Sequence, residues 1–274
     1  YTAADNPALQ ALGEGDAVVD KMTVTTPDGT THTIAVTVEG SNDTPVITGS
    51  SYGSVAEDGP LQTVGKLTAD DMDMGESGFV AGIVQGKFGV LTIDAAGNWA
   101  YNASGNDALQ ALGEGDIVTE KLPVTTADGT VQVITISVAG ADDTAVISGV
   151  DIGTVEEDGV LTATGKLTSD DVDAGESGFV AGTVAGTYGS LSINAAGNWA
   201  YTAADSAALQ ALGAGDSVVD KMTVTTPDGT THTIAVTVEG ANDAPVISGV
   251  DTGTVEEDGV LTTSGKLTSD DVDA

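Results

Sequence analysis

Leu91-Thr92-Ile93-Asp94-Ala95-Ala96-Gly97-Asn98-Trp99-Ala100-Tyr101 is the stretch that decides the fold class. Leu91-Thr92-Ile93 and Trp99-Ala100-Tyr101 read as two short strands, and Asp94-Ala95-Ala96-Gly97-Asn98 reads as the turn between them. Trp99 and Tyr101 stand two residues apart, so a strand places both on one face. A pair of aromatics on one face of a hairpin predicts a β-sandwich core rather than a helical one.

The same triplet returns as Trp199-Ala200-Tyr201, and the chain opens on Tyr1. Leu9-Gln10-Ala11-Leu12-Gly13 returns at Leu109 and Leu209, and Lys21 to Thr30 is identical to Lys221 to Thr230. Gly75 to Gly82 repeats in Gly175 to Gly182 except at no position. The period is one hundred residues, without an insertion. Solenoid units are far shorter and lean on neighbours for a core, so this period predicts an array of whole domains. Asn42-Asp43-Thr44-Pro45, Asp142-Asp143-Thr144-Ala145 and Asn242-Asp243-Ala244-Pro245 are the expected joints. Residues 1–44 then form the back part of one repeat, 45–143 and 144–243 two complete repeats, and 244–274 the start of another.

Within a repeat the signals are short strands between turns. Ile34, Val36 and Val38 alternate with Ala35, Thr37 and Glu39, and Met22 and Val24 alternate with Lys21 and Thr23. Pro27-Asp28-Gly29 turns one of these strands into the other. Asn6 suits a helix N-cap, Pro7 the first helical position and Gly13 the stop, which predicts one short helical turn per repeat. About seven strands in roughly a hundred residues, rich in Thr and Val, predict an all-β Greek-key sandwich.

Seven Lys+Arg stand against 42 Asp+Glu, for a formal net charge of −35. Such a chain repels phosphate backbones and anionic membrane surfaces and attracts cations, so nucleic-acid binding is excluded. No apolar run reaches membrane-spanning length, and membrane insertion of this segment is not expected. Cysteine is absent, which removes disulfides, thiolate metal sites and thiol catalysis. A secreted array without disulfides needs another cross-link, and a hard cation fits. The chain begins in mid-pattern at Tyr1, so it reads as an excerpt of a longer polypeptide.

The acidic groups recur with the period. They are the joint Asn42-Asp43; Glu57-Asp58-Gly59, repeated from Glu157 and Glu257; Asp71-Met72-Asp73, repeated from Asp171 and Asp271; and the Asp28-Gly29 turn, repeated at Asp128 and Asp228. In an extended segment Asp71 and Asp73 point the same way, and two adjacent carboxylates repel unless a cation lies between them. Ca²⁺ takes about six to eight oxygens from carboxylates, amides, carbonyls and water, a mixture the joints can supply. Asp-Gly and Asn-Asp are also ordinary turn formers, which is the plainer role for Asp28 and the expected one for Asp58.

At these residues the chain resembles the VCBS repeat family of large bacterial surface proteins and RTX-type adhesins. The matching pattern runs Asn42-Asp43-x-Pro45-Val46-Ile47, Val55-x-Glu57-Asp58-Gly59 and Gly65-x-Leu67-Thr68-x-x-Asp71-x-Asp73-x-Gly75-Glu76. It continues through Gly86-x-Phe88-Gly89-x-Leu91 and Gly97-x-Trp99-x-Tyr101 to Asp128-Gly129-Thr130. The resemblance implies tandem cadherin-like or Ig-like sandwiches in an elongated array, calcium at the joints, and a role in adhesion or as a spacer. It also implies a secreted or cell-surface location.

The order of motifs is similar to that of cadherin repeats. On that likeness Glu57 is the Glu after the first strand, Asp71 and Asp73 the Asp-x-Asp pair, and Glu114 the later Glu. Asp128 is the Asp before the last hairpin, and Asn42-Asp43 the end of the linker. The implied ligand set is Asn42, Asp71, Asp73 and Asp128 at one joint, and Asp142, Asp171, Asp173 and Asp228 at the next. Asn242, Asp271 and Asp273 supply the third. A second, weaker ion would use Asp43 and Glu57, with Asp143, Glu157, Asp243 and Glu257 as their counterparts. Three departures weaken the likeness: Gly40, Gly140 and Gly240 replace the first linker acid, Leu12, Leu112 and Leu212 replace another, and Ala214 replaces the later Glu. Asp28, Glu14 and Glu114 are therefore the weaker candidates.

Catalysis is not expected. Every carboxylate cluster is repeated in each domain, which suits a structural task better than one active cleft. His32 and His232 lie on outward strand positions, Trp99 and Trp199 suit a core, and Lys66, Lys166 and Lys266 suit a solvated strand face. The leading expectation is a calcium-rigidified extender of a bacterial adhesin, whose partners are neighbouring repeats of its own chain. A glycan- or cell-binding module and like chains pairing into a fibre are the other two readings.

Overall fold

The computed structural model describes residues 1–273. The chain divides into two compact units, Tyr1–Asp142 and Asp143–Ala274. Nearly every regular element is a strand, as the Thr- and Val-rich alternation requires. Among the described residues no helix is long and apolar enough to cross a membrane.

The first unit opens with a single-turn helix, α1 (Pro7–Gln10). Asn6 caps it, its side-chain oxygen accepting from the amides of Ala8 (3.0 Å) and Leu9 (3.1 Å). The second and third copies of this segment are hydrogen-bonded turns, where Leu109 and Leu209 bond back to Asn106 and Ser206. Only the first copy carries proline at the first helical position, and Asp107 and Ala207 stand there in the others. Strands β1 (Ala17–Thr25) and β2 (Thr31–Glu39) then form a hairpin.

The remainder of the first unit is a sandwich. Its strands are β3 (Val46–Gly49), β4 (Tyr52–Ala56), β5 (Gln62–Asp70), β6 (Gly82–Gln85), β7 (Val90–Ile93), β8 (Asn98–Asn102), β9 (Ile117–Thr125) and β10 (Val131–Ala139). One sheet has the order β3-β5-β8-β7-β6 and the other β4-β10-β9. The hairpin β7–β8 pairs Leu91 with Tyr101 and Ile93 with Trp99, as expected from the sequence. β5 returns beside β8, which is the Greek-key turn of the chain. β4 runs parallel to the last strand, β10, with Val55 opposite Val138.

Inward positions alternate along these strands and fill one core. Leu67, Leu91, Trp99 and Tyr101 come from one sheet; Leu122, Ile134, Ile136 and Val138 come from the other. The Trp99 indole N–H donates to the Ser50 carbonyl at 2.8 Å, so the ring's polar edge is satisfied as it is buried.

The second unit repeats this plan. β11 (Val146–Gly149), β13 (Thr162–Asp170), β16 (Asn198–Ala203), β15 (Gly189–Ile193) and β14 (Gly182–Ala185) form one sheet; β12 (Ile152–Glu156), β18 (Thr231–Glu239) and β17 (Ser217–Thr225) form the other. Leu167, Leu191, Trp199, Tyr201, Ile234 and Val236 occupy its core. A final pair, β19 (Val246–Gly249), which matches β3 of the first unit, and β20 (Leu267–Asp270), closes the unit.

Candidate metal centre

β5 ends at Asp70, and the loop after it carries the acidic pair. The Ser77 hydroxyl accepts from the Asp71 amide at 3.0 Å and fixes the loop's start. Asp71 then folds its own carboxylate over the chain, Oδ1 accepting from the Asp73 amide at 2.9 Å. Gly75 has φ +91, a conformation that favours glycine, and the Glu76 amide bonds back to the Asp73 carbonyl at 3.3 Å. The tight loop turns its carboxylates inward rather than into water.

Asp73 is only 2% exposed. Its Oδ2 accepts from the Asp43 amide at 2.7 Å, which ties the acidic loop to the joint. Its Oδ1 is buried and has no hydrogen-bond partner, and the same holds for Asp71 Oδ2 and Glu76 Oε2. Burial, followed by the charges of Asp73, Asp71, Asp128 and Asp16, pushes the Glu76 carboxyl above its usual range. Several buried carboxylate oxygens without a donor in one loop are the chemistry of a hard-cation site.

The second unit builds the same loop. The Asp143 amide donates to Asp173 Oδ2 at 2.8 Å, the Asp173 amide to Asp171 Oδ1 at 2.9 Å, and the Asp171 amide to the Ser177 hydroxyl at 3.1 Å. Asp171 Oδ2 and Asp173 Oδ1 are again buried without partners. At the joint of residues 242–243 the Asp243 amide donates to Asp273 Oδ2 at 3.1 Å, and the Asp273 amide to Asp271 Oδ1 at 3.2 Å. Burial, then the charges of Asp158, Asp273 and Asp271, push the Asp243 carboxyl up.

Glu157 reaches that same joint. It is 2% exposed, its Oε2 accepts from the Ala241 amide at 3.2 Å, and its Oε1 has no partner. Burial and the charges of Asp243, Asp158 and Asp273 raise its carboxyl, against the lowering effect of the Ala241 amide. Glu57 makes the corresponding backbone bonds: its Oε2 accepts from the Ala141 amide at 2.9 Å and its amide donates to the Ala139 carbonyl at 3.0 Å. Because β4 runs parallel to β10, Glu57 stands at the end of its sandwich where residues 139–141 leave β10. The sequence reading grouped Glu57 with Asp43; the structure sets it at the opposite end of the sandwich, since β3 and β4 carry the chain from one end to the other.

Asp128 sits at the tip of the β9–β10 hairpin. Its Oδ1 accepts from the Thr126 hydroxyl and the Thr130 amide (3.0 Å), and its Oδ2 from the Thr130 hydroxyl (2.7 Å). Burial pushes this carboxyl up, but the Thr126 and Thr130 hydrogen bonds outweigh it and hold it below the usual range. Asp228 has the same bonds and also accepts from the Ala145 amide at 3.1 Å, and its carboxyl is held down at about 2. Position 45 is proline, which has no N–H, so Asp128 lacks that bond. Asp28 closes the β1–β2 turn and is exposed there. Glu14, Glu114 and Glu257 are exposed, as are Asn42, Asp142, Asn242 and Asp271.

Glu76 and Asp16 are the acidic groups that the expected ligand set left out, and Asp158, whose counterpart Asp58 was expected to be a turn residue, adds its charge near Glu157 and Asp243. The return of Gly75-Glu76 as Gly175-Glu176 was the available signal for the first of them. The glycines in place of the first linker acid also find their reason. A Cβ on Gly40 would lie 2.3 Å from the Gly13 carbonyl oxygen, and one on Gly140 would lie 2.1 Å from that of Leu112. No side chain fits there.

Residues 42–140 and 142–240 each match the bacterial cadherin-like domain family. The chain belongs to that family. No curated protein matches the sequence. Among solved structures, extracellular cadherin domains 3–6 of protocadherin gamma B2 are similar at 15% identity and a TM-score of 0.43, over 95% of this chain and 68% of that one. Domains EC1-4 of PcdhgB3 are similar at 16% identity and a TM-score of 0.45, over 97% and 68%. A structure described as a Ca²⁺-stabilized adhesin that helps an Antarctic bacterium reach out and bind ice is similar at 15% identity and a TM-score of 0.23, over 85% and 59%.

Proposed function

We propose that these cadherin-like domains are calcium-rigidified, VCBS-type extender repeats of a large extracellular bacterial adhesin. The observation that carries the reading is Asp73: a carboxylate almost wholly buried, bonded through one oxygen to the joint and left without a donor on the other. Its counterparts Asp173 and Asp273 share the unpartnered Oδ1. Family membership, the net charge of −35 and the absence of cysteine support it.

In this reading Asp71, Asp73, Glu76 and the joint segment Asn42-Asp43 hold Ca²⁺ at one boundary. Asp171, Asp173 and Asp143 contribute at the next, and Glu157, Asp243, Asp271 and Asp273 at the third. Calcium supplies positive charge and coordination; the chain supplies carboxylate oxygens already turned inward. Asp128 and Asp228 act mainly as turn formers that add negative field. The repeats divide at 44/45, 143/144 and 243/244, and the segment is a spacer, not an enzyme. Outside a cell, Ca²⁺ at roughly millimolar levels suits such modules.

Native mass spectrometry of the full chain tests the site. Calcium should add in a defined number of ions, and Asp73→Asn should remove binding at one joint only. An unchanged ion count and affinity in Asp73→Asn would overturn the assignment.

A further inference from the structure

Each sandwich pairs a strand near the chain's entry with the strand by which the chain leaves. β4 follows the 42–45 joint after one short strand, β3, and β10 is the last strand before residues 142–145. The two are parallel neighbours over five register pairs, from Tyr52 opposite Thr135 to Ala56 opposite Ala139. In the second unit β12 and β18 pair in the same way, from Ile152 opposite Ala235 to Glu156 opposite Glu239.

Backbone bonds extend this ladder at both ends. At the start of β4 the Thr135 amide donates to the Ser51 carbonyl at 2.8 Å, and at the start of β12 the Ala235 amide donates to the Asp151 carbonyl at 2.8 Å. At the far end the Glu57 amide donates to the Ala139 carbonyl at 3.0 Å, and the Glu157 amide to the Glu239 carbonyl at 2.9 Å. On the inner face Val55 stands opposite Val138, and both are buried.

Tension along the chain pulls the start of β4 away from the end of β10. Because the strands are parallel, these two points lie at opposite ends of the pair, and the strands must slide past each other to part. Ladder bonds lie across the strands, so sliding loads them together, whereas peeling from one end breaks them one at a time. On its other side β10 is held by nine register pairs with β9, so the shorter β4 pairing is the line that yields. The pairing of β3 with β5 adds four pairs and does not touch the exit strand.

We infer that β4–β10 and β12–β18 are load-bearing clamps, which make each repeat resist tension and let the array transmit a pulling force. This goes beyond the spacer reading, and it concerns the inside of each sandwich rather than the joints.

Single-molecule force spectroscopy in calcium, on the full chain tethered through Cys added at its two ends, tests it. Two stiff unfolding events are expected, one for each complete repeat. Val138→Ala should make one of them break about tenfold sooner at a fixed force, with the other event as the reference. Leu91→Ala, on β7 in the facing sheet, removes more buried carbon and should cost more in chemical denaturation, yet leave both lifetimes under force nearly unchanged. Should Val138→Ala disturb folding, Val55→Ala on the paired strand reads the same clamp. Repeats that lengthen without a distinct event would overturn the inference. So would lifetimes that follow chemical stability in every variant, or that shorten with Leu91→Ala and not with the clamp variants.

Discussion

Asp73 has two oxygens in opposite situations: one has a backbone donor and the other is buried without a hydrogen-bond partner. The substitution Asp73→Asn should therefore change sign with conditions. In chelator it removes a buried like charge and should raise the unfolding midpoint; in calcium it removes a ligand and should lower it. Thermal unfolding in the two buffers checks both directions. The pair Asp71 and Asp73 was legible in the sequence from spacing alone. Glu76 was not, because its direction depends on the left-handed turn at Gly75. The partner of Glu57 was not legible either, because it depends on the parallel pairing of two strands that lie some eighty residues apart in sequence, Tyr52–Ala56 and Thr135–Ala139.

Glu120 is a further buried carboxylate, and it is held by hydrogen bonds. Glu120 accepts from the Tyr101 hydroxyl at 2.6 Å and from the Phe88 amide at 3.0 Å, and Asp220 does the same for Tyr201, Thr187 and Tyr188. Tyr101→Phe leaves Glu120 short of a donor and should cost about 2 kcal/mol in chemical denaturation. Burial, then the hydrogen bond and charge of Glu120, raise the Tyr101 phenol above its usual 10.0. The folded chain thus holds a proton that the unfolded chain loses above pH 10. This stability is complete below that pH and falls as pH rises further. Denaturation series above pH 10 should show a steep loss for the unchanged chain and a shallower one for Tyr101→Phe.

At the scale of elements, the hairpin β7–β8 was readable because its alternation has a period of two and its turn has the residues a turn requires. What no alternation reveals is where a large ring must fold across the backbone of the paired strand. Gly65 lies under the Trp99 ring, and a Cβ there would stand 2.3 Å from the indole. Gly65→Ala must displace the ring from its hydrogen bond to Ser50, at about 1–3 kcal/mol. Gly165→Ala should act alike beneath Trp199, where the distance is 2.4 Å. Denaturation followed by tryptophan fluorescence measures both. The one-turn helix shows the converse limit: a single proline separates the helical copy from two copies that close as turns.

At the scale of the whole molecule, the hundred-residue period identified an array before any element was assigned. It could not say which end of each sandwich an acidic group occupies, since that follows from topology. The structure supplies that topology, and with it the grouping of Glu157 with Asp243 and Asp273. The net charge of −35 should also make the joints sensitive to ionic strength in chelator, because screening acts over about 8 Å at physiological salt. The central claim is that calcium at the joints stiffens the array. X-ray scattering of the full chain in millimolar calcium and in chelator, at matched ionic strength, tests it most directly. The account predicts a longer maximum dimension and a narrower conformational spread in calcium, both lost in the chain carrying Asp73→Asn and Asp173→Asn. Identical scattering in the two buffers would contradict it.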